Sequence, residues 1–122
     1  MRVLIVGNGI AGATGALELR RLRPDWSIAM VSEESDHPYA RTALMYLFMG
    51  HVPFERTKLV EDRVWREQRI ERIRDRALAV DPARRTLRLE RGGAVPYDPL
   101  LLCLGSKPKR LGRPGEDLRG VQ

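Results

Sequence analysis

Near its start the chain has an apolar run that stops at three closely spaced glycines. Residues 2–12 read RVLIVGNGIAG, with Gly7, Gly9 and Gly12 at the spacing G-x-G-x-x-G. The apolar, partly β-branched run over residues 2–7 predicts a strand buried on both faces, as in parallel sheets. Ile10, Ala11, Ala13, Ala16, Leu17 and Leu22 then fall mostly on one helical stripe, predicting a helix from residue 10 to 21 or 22. Arg20, Arg21 and Arg23 stand at its C-terminal end, where cations suit the macrodipole. Arg23-Pro24-Asp25 is a stop and turn signal. WSIAMVSE, residues 26–33, predicts a second buried strand. Strand, helix and strand within about thirty residues make a right-handed βαβ unit, which sets the class as α/β.

The rest of the chain fits one domain, the expectation for 122 residues. Residues 35–43 read as a loop, and RTALMYLFMG, residues 41–50, as a short apolar helix. Residues 53–69 read as a longer charged helix with Val60, Val64 and Trp65 inward. Residues 76–93 predict two strands around Asp81-Pro82-Ala83-Arg84, a turn with proline at its second position. Leu100–Leu104 predicts a last buried strand, followed by a loop-like tail. The expected architecture is a parallel sheet with a small antiparallel hairpin or meander.

Charge and cysteine content narrow the function classes. The net charge is +6, and all basic residues except Lys58, Lys107 and Lys109 are arginine. A basic chain attracts anions, nucleic acid included. The arginines between Arg56 and Arg76 alternate with Glu61, Asp62, Glu67, Glu71 and Asp75, however. That pattern predicts a solvated helix face with pairs such as Asp62–Arg66, and no nucleic-acid motif is present. Cys103 is the only cysteine, which excludes an internal disulfide or a thiolate metal cluster and fits a reduced, cytoplasmic setting. The run Val3–Val6 is too short for a secretory h-region, and no stretch approaches a membrane span.

The glycine motif gains meaning from its context: it follows a strand, opens a helix and lies inside a βαβ unit. Gly7 permits the tight turn, Gly9 leaves room for a pyrophosphate, and Gly12 lets helix and strand pack closely. The backbone N–H groups of Ile10, Ala11 and Gly12 would then face phosphate at the positive end of the helix. Glu33 follows Gly12 by about 20 residues, where an acid accepts the ribose hydroxyls. Ser32 and Glu34 flank it, and the strand end could shift by one residue. An acid there disfavours a 2′-phosphate and so NADP, leaving NAD and FAD open.

Ala16, four residues after Gly12, matches the flavoprotein pattern G-x-G-x-x-G-x-x-x-A. VSEESDHPYAR resembles the "E…PY-R" segment of flavin-dependent ferredoxin reductases and apoptosis-inducing-factor-like proteins. The stretch from AVDPARRTLRLERGG through YDPLLLCLGSKPKR to GRPGEDLRGV resembles "ID…YD-x-L-x-x-A-T-G-s-x-P-r…PG…GV" of the same group, the pyridine nucleotide–disulfide oxidoreductase superfamily. The resemblance spans the chain. It implies a Rossmann-like FAD-binding domain with FAD at Gly7, Gly9 and Gly12. It further implies Arg41 near the phosphates, the backbone of Ala77 near adenine, a final turn at Leu104, Gly105 and Ser106, and Lys109 as the basic residue that follows it.

Three departures qualify it. Cys103-Leu104-Gly105 replaces A-T-G, losing a threonine hydroxyl, and Cys103 reads as a small hydrophobe. Thr42 stands where some members carry a redox cysteine, and Tyr46 where the ferredoxin-reductase branch has a lysine. Both are expected near the flavin ring, and thiol–disulfide chemistry is not expected. Superfamily members are also several times longer, so the chain is expected to be an N-terminal FAD-binding portion, incomplete relative to the family fold. NAD(P)H would bind in a further domain. The alone-standing chain is expected to retain FAD weakly or not at all, not to turn over, and to self-associate through an uncovered sheet edge. The alternative is a stand-alone FAD- or NAD-binding module or subunit that acts with a separate polypeptide.

Overall fold

The computed structural model describes residues 1–107, 109 and 112–119. Four strands form a parallel sheet: β1 (Arg2–Val6), β2 (Ser27–Ser32), β3 (Ile70–Arg74) and β7 (Leu100–Leu102), in the order β3-β2-β1-β7. A separate antiparallel sheet has the order β4-β5-β6, from β4 (Ala77–Asp81), β5 (Thr86–Leu89) and β6 (Ala94–Pro96). Three helices accompany them: α1 (Ile10–Leu22), α2 (Leu44–Phe48) and α3 (Asp62–Glu67).

Strand pleating sorts the core into two layers, because successive side chains point to opposite faces. On one face Val3, Ile5, Ile28, Met30 and Ile70 pack with Ala13 and Ala16 of α1 and Trp65 of α3. On the other, Leu4, Val6, Ala29 and Val31 pack with Leu87 and Leu89 of the antiparallel sheet. The parallel sheet is therefore the middle of three layers, which explains the unbroken apolar runs of its central strands β1 and β2. β1 runs parallel to β2 with Val3 opposite Ile28, and to β7 with Leu4 opposite Leu100.

The α1 stripe differs from expectation at three residues. Ala13 and Ala16 are buried, while Ile10 and Leu22 are 67% and 57% exposed and Ala11 is exposed. Arg20 is buried instead. Its guanidinium donates to the carbonyls of Gln68 (2.7 Å), Pro24 (2.8 Å), Trp26 (2.8 Å) and Arg69 (3.0 Å), with a longer contact to Arg23 (3.5 Å). A buried charge is tolerated when its donors are satisfied, and this one ties α1 to the turns before β2 and β3.

The long charged helix expected over residues 53–69 is a 3-10 turn (Phe54–Thr57) followed by α3. The residues after it form β3, so the second half of the run of alternating charges is, among the described residues, an edge strand and not a helix face. Ile70 faces the helical layer and Ile73 the opposite one, an alternation that the charged neighbours conceal. Asp62 consequently pairs with Lys58 (2.8 Å) and with Arg72 of β3 (2.7 Å), not with Arg66. The hairpin turn around Pro82 is present, closed by the Arg84 N–H on Asp81 (2.9 Å), and β6 extends it to a meander. β7 ends two residues earlier than expected, at Leu102. The helix expected over residues 41–50 is a 3-10 turn (Arg41–Ala43) leading into α2.

Candidate functional site

The turn between β1 and α1 depends on missing side chains. Gly7 has φ +103, a backbone that favours glycine, and a Cβ there would lie 2.1 Å from the carbonyl oxygen of Cys103. A Cβ on Gly12 would lie 2.0 Å from the carbonyl oxygen of Gly7. These two glycines let β7, the turn and α1 approach. Gly9 differs: its φ of −67 is ordinary, and a Cβ there would meet nothing within 4 Å. Its bareness keeps open the space before the N-terminus of α1. No side chain caps that terminus, and its first turn carries no acid. Its N–H groups and dipole are thus free for an anion.

That space belongs to a cleft of about 650 Å³, within the range of small-molecule sites. Gly7, Gly9, Glu33, Arg41, Ala77, Leu104 and Gly105 all line it, so residues from the first turn, the β2 end, β4 and the β7 end converge. Among the other expected residues, Gly12 packs behind the turn, and Ile10 and Ala11 open α1 beside it. Lys109 is exposed and does not line the cleft. Thr42 and Tyr46, expected near a flavin ring, are exposed and lie outside the lining. Cys103 is half-buried and lines the cleft. Its N–H donates to Val6 (2.7 Å), continuing the ladder past β7.

The charged rim is organised in pairs. The carboxylate of Glu34 faces Arg41 through both oxygens, at 3.2 Å and 2.5 Å, and accepts the Tyr39 hydroxyl. The Arg41 guanidinium also lies 5.5 Å from the Tyr39 ring centre. The Tyr39 hydrogen bond, together with Arg41, outweighs partial burial and holds the Glu34 carboxyl below the usual carboxylate range. Burial and the Glu34 charge push the Tyr39 phenol up. Glu33 makes a looser pair with Arg76 (3.3 Å). Asp75 is buried and accepts the N–H groups of Arg76 (2.7 Å), Gly92 (2.7 Å) and Arg91 (3.2 Å). Burial pushes its carboxyl up, but those backbone donors from Arg76, Gly92 and Arg91 hold it below the usual range.

Sequence reasoning missed Asn8, Asp75 and Arg76 as wall residues. Asn8 occupies a variable position of the glycine motif, yet its amide donates to Ser35 (2.8 Å) and accepts from Ser32 (3.0 Å), which ties the turn to the β2 end. Asp75 and Arg76 were hidden in the stretch of alternating charges. An acid shortly before an apolar run, Asp75 before Ala77–Val80, was the available signal. Among the described residues no cluster of side chains could hold a metal ion, and no helix is long and apolar enough to cross a membrane.

The family model for pyridine nucleotide-disulphide oxidoreductases matches residues 1–122, the whole chain. The chain belongs to that family. A probable ferredoxin reductase, CtmF, of Castellaniella defragrans is 34% identical over 98% of this chain and 30% of its own length. The 5,5′-dehydrodivanillate O-demethylase ferredoxin reductase subunit of a Sphingobium species is 33% identical over 97% of this chain and 29% of its own. The crystal structure of the ferredoxin reductase for the CYP199A2 system of Rhodopseudomonas palustris superposes with a TM-score of 0.86 at 33% identity. That match covers 98% of this chain and 30% of the other. This member of the family therefore spans about three tenths of the length of these relatives, and its fold is the Rossmann-like α/β fold expected from the resemblance.

Proposed function

We propose that the chain forms the FAD-binding portion of a flavin-dependent NAD(P)H oxidoreductase and holds the adenosine diphosphate half of the cofactor. The observation that carries this reading is the single cleft shared by the bare Gly9 turn, Glu33, Arg41, Ala77 and Gly105. The open α1 terminus faces an incoming diphosphate with N–H groups, and Arg41 supplies a cation beside it. Glu33 accepts the ribose hydroxyls, and its charge rejects a 2′-phosphate. The backbone of Ala77 meets the adenine edge, and Leu104 and Gly105 bound the cofactor from the β7 side. When bound, FAD supplies hydride acceptance from NAD(P)H and passage of electrons onward. NAD(P)H binds a further domain in this reading. By similarity to the two ferredoxin reductases above, the acceptor assigned to the whole enzyme is a ferredoxin, in the cytoplasm. With one cysteine, the chain has no dithiol to run thiol–disulfide chemistry.

The test is titration of the purified chain with FAD, ADP, NADH and NADP by calorimetry and heat protection. Weak, saturable binding of FAD and ADP, weakened several-fold but still measurable in Arg41→Ala, supports the reading. Protection by NADH and none by FAD moves the assignment to NAD. Tight FAD binding without any partner supports a stand-alone module. A yellow, stoichiometric flavoprotein that oxidises NADH on its own overturns the incomplete-enzyme reading.

A further inference from the structure

Two acids stand side by side on the cleft wall, and their surroundings differ. The Glu33 side chain is 64% exposed and makes one loose contact, to Arg76. Glu34 is held on both oxygens: Arg41 takes two contacts and the Tyr39 hydroxyl adds another. Glu33 can release its partner for a ligand hydroxyl with little loss. Glu34 has no such freedom while Arg41 faces it.

The same pairing occupies the cation that an anionic ligand would use. A guanidinium presents its paired N–H fork to one oxyanion at a time in its strongest, bidentate mode. The Arg41 fork is given to Glu34. The other charges on the wall are Glu33, Asp75 and Arg76. Asp75 is met by Arg91 at 3.6 Å, and both arginines of the lining, Arg41 and Arg76, face acids, so each cation on the wall already has a partner when a diphosphate arrives. We infer that Glu34 is an internal competitor for Arg41: it latches the guanidinium in the free protein, and a diphosphate must displace it. This inference rests on the cleft being the diphosphate site proposed above. It divides the two acids by role, with Glu33 toward the ligand's hydroxyls and Glu34 toward the protein's own arginine. Tyr39 reinforces the latch from both sides, through its hydroxyl on Glu34 and its ring beside Arg41.

The experiment is calorimetric titration of the full chain with ADP and, separately, FAD, in wild type, Glu34→Gln, Arg41→Ala and the double variant. Glu34→Gln is expected to tighten ADP about two- to fivefold, the scale of an exposed ion pair released. In the Arg41→Ala background the same change is expected to have no effect, because the latch has lost its object. Tyr39→Phe, which keeps the ring, is expected to tighten ADP by less than Glu34→Gln. Wild type and Glu34→Gln binding ADP equally, or Glu34→Gln binding more weakly, overturns the latch and leaves the site reading intact. A tightening that persists without Arg41 also overturns it, since a general field effect then accounts for the gain. Failure of both wild type and Glu34→Gln to bind ADP or FAD overturns the site reading and the latch together.

Discussion

Gly7, Gly9 and Gly12 do different work, and one substitution at each separates folding from binding. Gly12→Ala drives a methyl to 2.0 Å from a backbone oxygen, so helix and turn must part. The expected cost is about 1–3 kcal/mol, read as a lower urea midpoint. Gly9→Ala places its methyl in open space. Its stability should change by less than about 1 kcal/mol, while ADP affinity falls, because the methyl enters the ligand's room. Unchanged ADP binding in Gly9→Ala would count against a pyrophosphate at this turn. Arg20 is the other decisive residue. Arg20→Ala strands several buried carbonyls at once and should cost about 3 kcal/mol or more in urea unfolding. Arg20→Lys should recover little of that, since an ammonium has three donors and no planar fork.

At the scale of elements, α3 and β3 are joined by Asp62. Its hydrogen bonds to Lys58 and then Arg72 lower its carboxyl from the ordinary 3.8 to about 2. A carboxyl lowered on folding adds stability above its unfolded value and loses it as pH falls through the folded one. The window here runs from about pH 4 down to about 2. The Asp62 side chain is 42% exposed, so solvent screening keeps the contribution to about 1 kcal/mol or less. Asp62→Asn should therefore lower stability slightly at pH 7 and make its fall between pH 4 and 2 shallower, as followed by urea midpoints. Asp75 joins β3 to the meander through backbone donors on both sides of the β4–β5 hairpin. Asp75→Ala should lower the Tm and increase hydrogen exchange at the Arg91 and Gly92 amides.

Over the whole molecule, the sheet order leaves β7 beside β1 on one side only, among the described residues. Leu102 and Leu104 at this edge are 56% and 70% exposed. An apolar edge strand is a template for pairing with another chain. The chain studied alone should be a dimer or larger species in light scattering, and Leu102→Lys should shift it toward monomer. A clean monomer for the unaltered chain would remove the sheet edge as an association site.

The βαβ start and its turn were legible in the amino-acid order because they rest on local facts: an apolar run, three spaced glycines, and an acid about 20 residues on. Glu33, Arg41, Ala77 and Gly105 were named from motifs, and they do line one cleft. β3 was not legible. Its apolar residues, Ile70 and Ile73, lie on opposite faces among charges that suited a helix equally well, and only docking beside β2 decides between them. The same holds for the exposure of Ile10 and Leu22 and the burial of Arg20, since the stripe that α1 buries is set by what packs on it. Pairing of charges was the least legible. Asp62 had a candidate partner within its own helix, and the fold brought Arg72 to it from ten residues away. Local sequence determined the elements that span a few residues and the turn that needs bare backbone. Tertiary structure alone decided which charges meet across elements, such as Arg72 with Asp62 and Arg76 with Glu33, because those distances exist only once the layers have packed.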